Sequence, residues 1–166
     1  MIDLHSHILP EQDDGAQSLG DSLEMARMAV ESGVTVMVAT PHCNIPGIFE
    51  NYFNDDYIET IQKVRDAVHR EQLPVNILPG MEAFGTPDLP DLLENGQIMT
   101  INQSRYLLIE FAFDEDPVLV EYIVDKVHCM KIIPVIAHAE RYQFVQRNPD
   151  RVYRWRKKGY PIQINK

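Results

Sequence analysis

The chain has 166 residues, 45% of them hydrophobic and 24% charged, with 25 acidic against 15 basic side chains for a formal net charge of −10. One domain with a real core is the expectation at this length, and the acidic balance argues against a general grip on nucleic acid. No apolar run approaches the roughly 18 residues needed for membrane insertion, no signal-peptide pattern opens the chain, and Cys43 and Cys129 are too few for a disulfide framework, so a cytoplasmic setting is expected.

Residues 2–6 read as a first buried strand, followed by a polar turn through Asp13-Asp14-Gly15. A helix is expected over 21–32, with Leu23, Ala26 and Val30 on one face and Gly33 as its stop. The β-branched run 34–39 suits a strand buried on both faces. Tyr57, Ile61, Val64 and Val68 mark a second helix, and 75–78 a third strand broken by Pro79-Gly80. A short helix over 91–94 ends at Asn95-Gly96, and 106–111 reads as a fourth strand. The helix expected from 117 to 130 turns Leu119, Ile123, Val127 and Met130 inward. A fifth strand over 132–137, a helix over 149–158 ended by Gly159, and a sixth strand over 160–164 complete the series.

Successive β-α units imply a mainly parallel sheet, either open and doubly wound or closed as a (β/α) barrel. The chain stops at Lys166 just after its sixth strand, the pattern of a single domain over 1–166 that is incomplete at its C-terminus. A free sheet edge after Ile164 could pair with another copy to give a homo-oligomer.

In a strand, residues i and i+2 share a face, so His5 and His7 would aim both imidazoles at one spot, half of a metal site. Asp14 occupies the loop after the first strand, His42 follows the second and Glu82 the third. Glu110 lies near the end of the fourth, inside Leu108-Ile109-Glu110-Phe111, and His138 terminates the fifth. Each has an ordinary alternative: a single His at a strand end is commonly a hydrogen-bonded structural residue, and Glu110 could pair with an arginine. All of them fall on the C-terminal edge, where parallel α/β architectures build active sites, and together they point to a metal cluster.

Arg141 is within reach of the same edge and could clamp a phosphate or form a surface salt bridge. Cys43 could touch a metal or be buried as an apolar residue. His69 reads as solvated, and His128 as a structural residue or a helix C-terminal cap. Neither cysteine opens a Cys-x5-Arg phosphate loop, since Phe49 and Val135 stand at the arginine position, which argues against that kind of phosphatase. Imidazole and carboxylate ligands without thiolate suit Mn²⁺ first, with Fe or Zn²⁺ as alternatives. Asp14, Glu82 and Glu110 contribute about −3, against roughly +4 to +6 from two or three divalent ions, leaving a site attractive to a phosphate dianion.

Several segments together resemble the polymerase and histidinol phosphatase (PHP) superfamily of metal-dependent hydrolases. They are residues 1–10, Asp13-Asp14-Gly15, Ala39-Thr40-Pro41-His42, Gly80-Met81-Glu82, Leu108-Ile109-Glu110-Phe111 and residues 134–142. The likeness is in particular to the bacterial protein-tyrosine phosphatase branch of capsule and exopolysaccharide synthesis. It implies a distorted (β/α)7 TIM-like barrel, with about the first five to six β/α units present here. It also implies up to three divalent metals held by His5, His7, Asp14, His42, Glu82, Glu110 and His138, with Glu82 as a bridge. Arg141 would bind the phosphate, with Asp14 and His42 beside it in the catalytic set. The implied substrate is phosphotyrosine on a tyrosine kinase of the polysaccharide export machinery.

Two departures stand out. Position 43 is Cys where this branch often has a second His, and a late Asp-x-His ligand pair of the family falls beyond the equivalent of Lys166. The competing readings are a histidinol phosphatase-like phosphoesterase and a catalytically impaired partial barrel acting in binding or assembly.

Overall fold

A computed structural model describes residues 1–165. Its frame is two parallel sheets. In the first, β1 (Ile2–Ser6), β2 (Val36–Ala39) and β4 (Asn76–Pro79) lie in that order. In the second, β3 (His42–Cys43), β5 (Glu82–Phe84), β6 (Tyr106–Glu110) and β7 (Ile133–Ile136) lie in that order. Helices α1 (Leu19–Glu31), α2 (Asp55–Arg70), α3 (Leu89–Glu94), α4 (Pro117–Cys129), α5 (Gln143–Arg147) and α6 (Asp150–Lys157) connect them.

Local chemistry sets the helix ends. The Asp21 N–H donates to Ser18 Oγ at the start of α1, and the Tyr57 N–H to Asn54 Oδ1 at the start of α2. Asp55 and Asp56 open α2 while His69 and Arg70 close it, each sign matching the helix dipole. Tyr57, Ile61, Val64 and Val68 are all buried along one side of α2, as their spacing predicts. On α4 the inward face is Val120, Ile123, Val124 and Val127, with Leu119 and Met130 only partly covered.

The two sheets join at matching strand breaks. The chain leaves β2 at Thr40-Pro41 and re-enters the other sheet as β3; it leaves β4 at Gly80-Met81 and re-enters as β5. His42 and Glu82, expected in loops, thus each begin a short strand and are register partners. The second break is fastened by Tyr57, whose hydroxyl donates to the Gly80 carbonyl at 2.9 Å and accepts from its N–H at 3.0 Å. A Cβ at Gly80 would press on Val38 Cγ1 at 2.8 Å, so glycine is required there.

Three expectations need correction. β1 is an edge strand, not a buried one: Ile2 and Leu4 are 61% and 41% exposed, because among the described residues β2 alone pairs with it. Residues 160–164 reach only one parallel bridge, Ile136 with Ile162, instead of a sixth strand; Pro161 has no N–H to donate. Helix α5 lies in a stretch for which no helix was expected. Neither sheet closes on itself among the described residues.

The period of two along the strands divides the side chains into two layers. Cys43, Ala83 and Ile109 face the large core under the helices. Val38, Leu108, Val135 and Ala137 form a smaller core with Ile101 on the opposite face. His42, Glu82 and Glu110 alternate with the first group, so they face the inner side.

Candidate metal centre

Glu82 is the centre of the site. Its carboxylate is 1% exposed, and four imidazoles approach it: His5 Nε2 at 2.9 Å, His138 Nε2 at 3.1 Å, His42 Nδ1 at 3.2 Å and His7 Nε2 at 3.3 Å. Glu110 lies alongside, 2.6 Å from His42 Nδ1 and 3.4 Å from His138 Nε2. Its partners are histidines and not an arginine. His5 and His7 bring their Nε2 atoms to 3.1 Å of each other, as the i, i+2 spacing predicts.

Asp14 stands at the rim, its side chain 71% exposed and its Oδ1 3.5 Å from His42 Nε2. Arg141 also lines the cleft, its guanidinium carbon 5.9 Å from the centre of the Phe113 ring. The cleft has a volume of about 810 Å³ and extends past the free edge of β1 toward Met25, Met28 and Met37. Cys43 is fully buried and its thiol donates to the Glu82 carbonyl at 3.4 Å, which makes it an anchor in the apolar layer. His69 is exposed, and His128 packs its ring on Tyr160 at 5.1 Å.

Asp13 is the functional residue that sequence reasoning passed over in favour of Asp14. It is buried, its Oδ2 is 2.7 Å from His7 Nδ1, and it accepts the His42 N–H at 2.8 Å and the Gly15 N–H at 2.9 Å. A carboxylate on the outer nitrogen fixes the tautomer and direction of a ligand histidine. Adjacent aspartates before a glycine carry no pattern saying which one turns inward. Phe49 was also passed over; its ring stacks on His42 at 5.5 Å and 4° between planes. His138 holds a left-handed backbone at φ 31°, a conformation that costs a non-glycine residue on the order of 1–3 kcal/mol. The Gln163 side chain accepts its N–H at 2.7 Å.

The electrostatics are those of a site holding protons where cations belong. Burial works against a charged His7, yet Asp13 and Glu82 outweigh it and raise its pKa to about 10. Burial likewise opposes charge on His138, and Glu110 and Glu82 lift it to about 9. His42 is raised, against its burial, chiefly by Glu110. Burial would push the Glu82 carboxyl up, but His138, His5 and His7 hold it well below the usual carboxylate range.

These residues fit a cluster of divalent ions. Both Glu82 oxygens are buried without a well-directed hydrogen bond, although four imidazole nitrogens crowd within 3.3 Å of them. Donor atoms aimed at shared points, and not along lines to one another, are what metal ligation requires. Three groups have their ligand atoms within 4.8 Å of one another: His5, His7 and Glu82; His7, Asp14 and His42; and His42, Glu82 and Glu110.

A parallel α/β frame with histidines and carboxylates converging at one strand edge defines a class of protein built to hold divalent metals. The family model described as "Capsular polysaccharide synthesis, CpsB/CapC" matches residues 1–166, and the chain belongs to that family. It is 38% identical to the tyrosine-protein phosphatase YwqE of Bacillus subtilis (strain 168) over 164 residues, 99% of this chain and 64% of that one. It is 32% identical to the tyrosine-protein phosphatase CpsB of Streptococcus agalactiae over 165 residues, 99% of this chain and 67% of that one. A solved chain from work on YwqE and Streptococcus pneumoniae CpsB, "unique metal-dependent tyrosine phosphatases", superposes with a TM-score of 0.90 at 38% identity. That match covers 99% of this chain and 66% of the solved one. The chain therefore spans about two-thirds of the length of these relatives.

Proposed function

We propose that this chain is a metal-dependent phosphomonoester hydrolase domain whose substrate is phosphotyrosine on a protein, a tyrosine kinase of polysaccharide export. The observation that carries the reading is the convergence of four imidazoles on the buried Glu82 carboxylate. His5, His7, Asp14, His42, Glu82, Glu110 and His138 would hold up to three ions, Mn²⁺ first and Fe or Zn²⁺ next, with Glu82 shared between them. Bound ions would polarise the phosphoryl oxygens and activate water for in-line attack on phosphorus.

The protein's own part is placement. Glu82, Glu110 and His138 hold the floor, Asp13 directs His7, and Arg141 at the mouth would meet the phosphoryl oxygens as a forked donor. We read the two sheets as most of the wall of a distorted (β/α)7 barrel, with β1 and residues 160–164 flanking its gap. The unpaired thiols of Cys43 and Cys129 agree with a reducing, cytoplasmic setting, and among the described residues no helix is long and apolar enough to cross a membrane.

The test compares turnover by the chain loaded with Mn²⁺: phosphate release from a phosphotyrosine peptide and from histidinol phosphate, and strand cleavage of single-stranded DNA. Preferred turnover of the peptide, abolished by EDTA, is expected; preferred turnover of another substrate, or release insensitive to EDTA, overturns the reading. The free edge of β1 favours a second reading, a partial barrel acting in assembly with a second copy. Light scattering that finds a monomer at all concentrations removes it.

A further inference from the structure

We propose that Phe113 is the wall that selects the organic half of the substrate, the ring on which an aryl group lies while its phosphate faces the metal centre. The inference rests on the phosphoester reading of the site and deepens it. Phe113 is 47% exposed in a cleft otherwise rich in histidines and carboxylates. A large apolar ring left open at a polar site is informative in a way that a scattered surface leucine is not. It adds little to the local core, which Phe111 and Tyr142 already fill at 1% and 0% exposure.

Its placement is specific on two sides. The ring meets His138 edge to face, with centroids 5.9 Å apart and planes at 86°. The Arg141 guanidinium lies over it at 5.9 Å, and among the described residues that side chain forms no ion pair with a carboxylate. Phe113 therefore touches both a residue of the metal centre and the cation at the mouth. A phosphate bound between these two would send its ester oxygen out along the ring.

The segment is held for the task. The Gln143 N–H donates to the Phe113 carbonyl at 2.8 Å, and the Glu115 N–H to the Ala112 carbonyl at 3.1 Å. Asp116 then caps α4 through the Val118 N–H at 2.8 Å. With its backbone fixed before binding, only the ring's own side-chain torsions remain to be ordered when a second ring stacks on it. Aromatic pairs gain beyond the burial available to an alkyl group, which corresponds to a preference of roughly 2- to 12-fold.

The experiment is calorimetric titration of the whole chain in MnCl₂ with phenyl phosphate and with methyl phosphate, each as its uncleavable methylene phosphonate, for the wild type, F113A and F113Y. The expected result is that phenyl phosphate binds the wild type several-fold tighter than methyl phosphate. In F113A that preference falls below twofold while methyl phosphate affinity holds, and F113Y keeps the preference. Upfield ring-current shifts of the phenyl protons on the wild type loaded with diamagnetic Zn²⁺, lost in F113A, would mark direct stacking. An unchanged preference in F113A overturns the role of Phe113 alone. Failure of both phosphates to bind the Mn²⁺-loaded wild type overturns the phosphoester reading and this inference with it.

Discussion

The floor and the rim of the candidate metal centre are built differently. Glu82, Glu110 and His138 come from β5, β6 and the end of β7, and their side chains are only 1%, 8% and 5% exposed. His5 and His7 come from the free edge strand and the loop after it, and His42 from the edge strand β3; they are 10%, 23% and 15% exposed. A central strand takes its position from two neighbours, so ladder bonds aim Glu82 and Glu110, while His138, just past the edge strand β7, has its N–H held by the Gln163 side chain. The rim has one neighbour and depends on side-chain bonds instead, above all those of Asp13. Rigidity in the floor is thus inherited from the sheet, whereas in the rim it comes from one loop.

Removing the shared floor carboxylate is the severest test of that difference. Glu82→Gln should lower metal affinity by more than about 100-fold, beyond the effect of residues that only orient a ligand. Calorimetric titration with Mn²⁺ should show the two groups that share Glu82 weakened together. Asp13→Asn should cost about 10- to 100-fold, and only in the rim, so that one class of bound metal is lost while the tightest remains. Loss of all metal in Asp13→Asn would erase the distinction.

Gly15→Ala probes the same loop through packing. A Cβ there would overlap the His7 Cβ and carbonyl, so a loss of about 1–3 kcal/mol is expected in urea unfolding. The smallest effect is on pH dependence. His7 and His138 have raised pKa values, about 10 and about 9, so their stabilising contribution is complete below their unfolded value and is lost as pH rises through 9–10. Glu82 and Asp13 are lowered, so theirs is present above the unfolded carboxyl value and is lost as pH falls. The metal-free protein should melt highest between about pH 4.5 and 6.5. Metal competes with those protons and should move the maximum upward. Thermal scans with EDTA and with Mn²⁺ would show both.

Most of the candidate site was legible because the period of a strand is two. His5, His7 and Glu110 declare their faces once the strands are placed, and the hydrophobic runs before His42, Glu82 and His138 mark the edge on which each emerges. The strand breaks were not legible, since β3 has two residues and β5 has three, too few to show alternation. Buried β1 was misjudged because Ile2 and Leu4 report apolar character and say nothing about which neighbour covers them. The roles of Asp13 and Phe113 depend on where loops fold back, which only the tertiary structure decides.

The breaks at Thr40-Pro41 and Gly80-Met81 have a kinetic consequence. His5 belongs to one sheet and Glu82 to the other, with the backbone ladder interrupted between them. An ion shared by these two side chains would act as a clasp across the seam, and breathing of the two halves would stretch its bonds. Its escape would then quicken with that breathing, although the cleft itself stays open to a chelator.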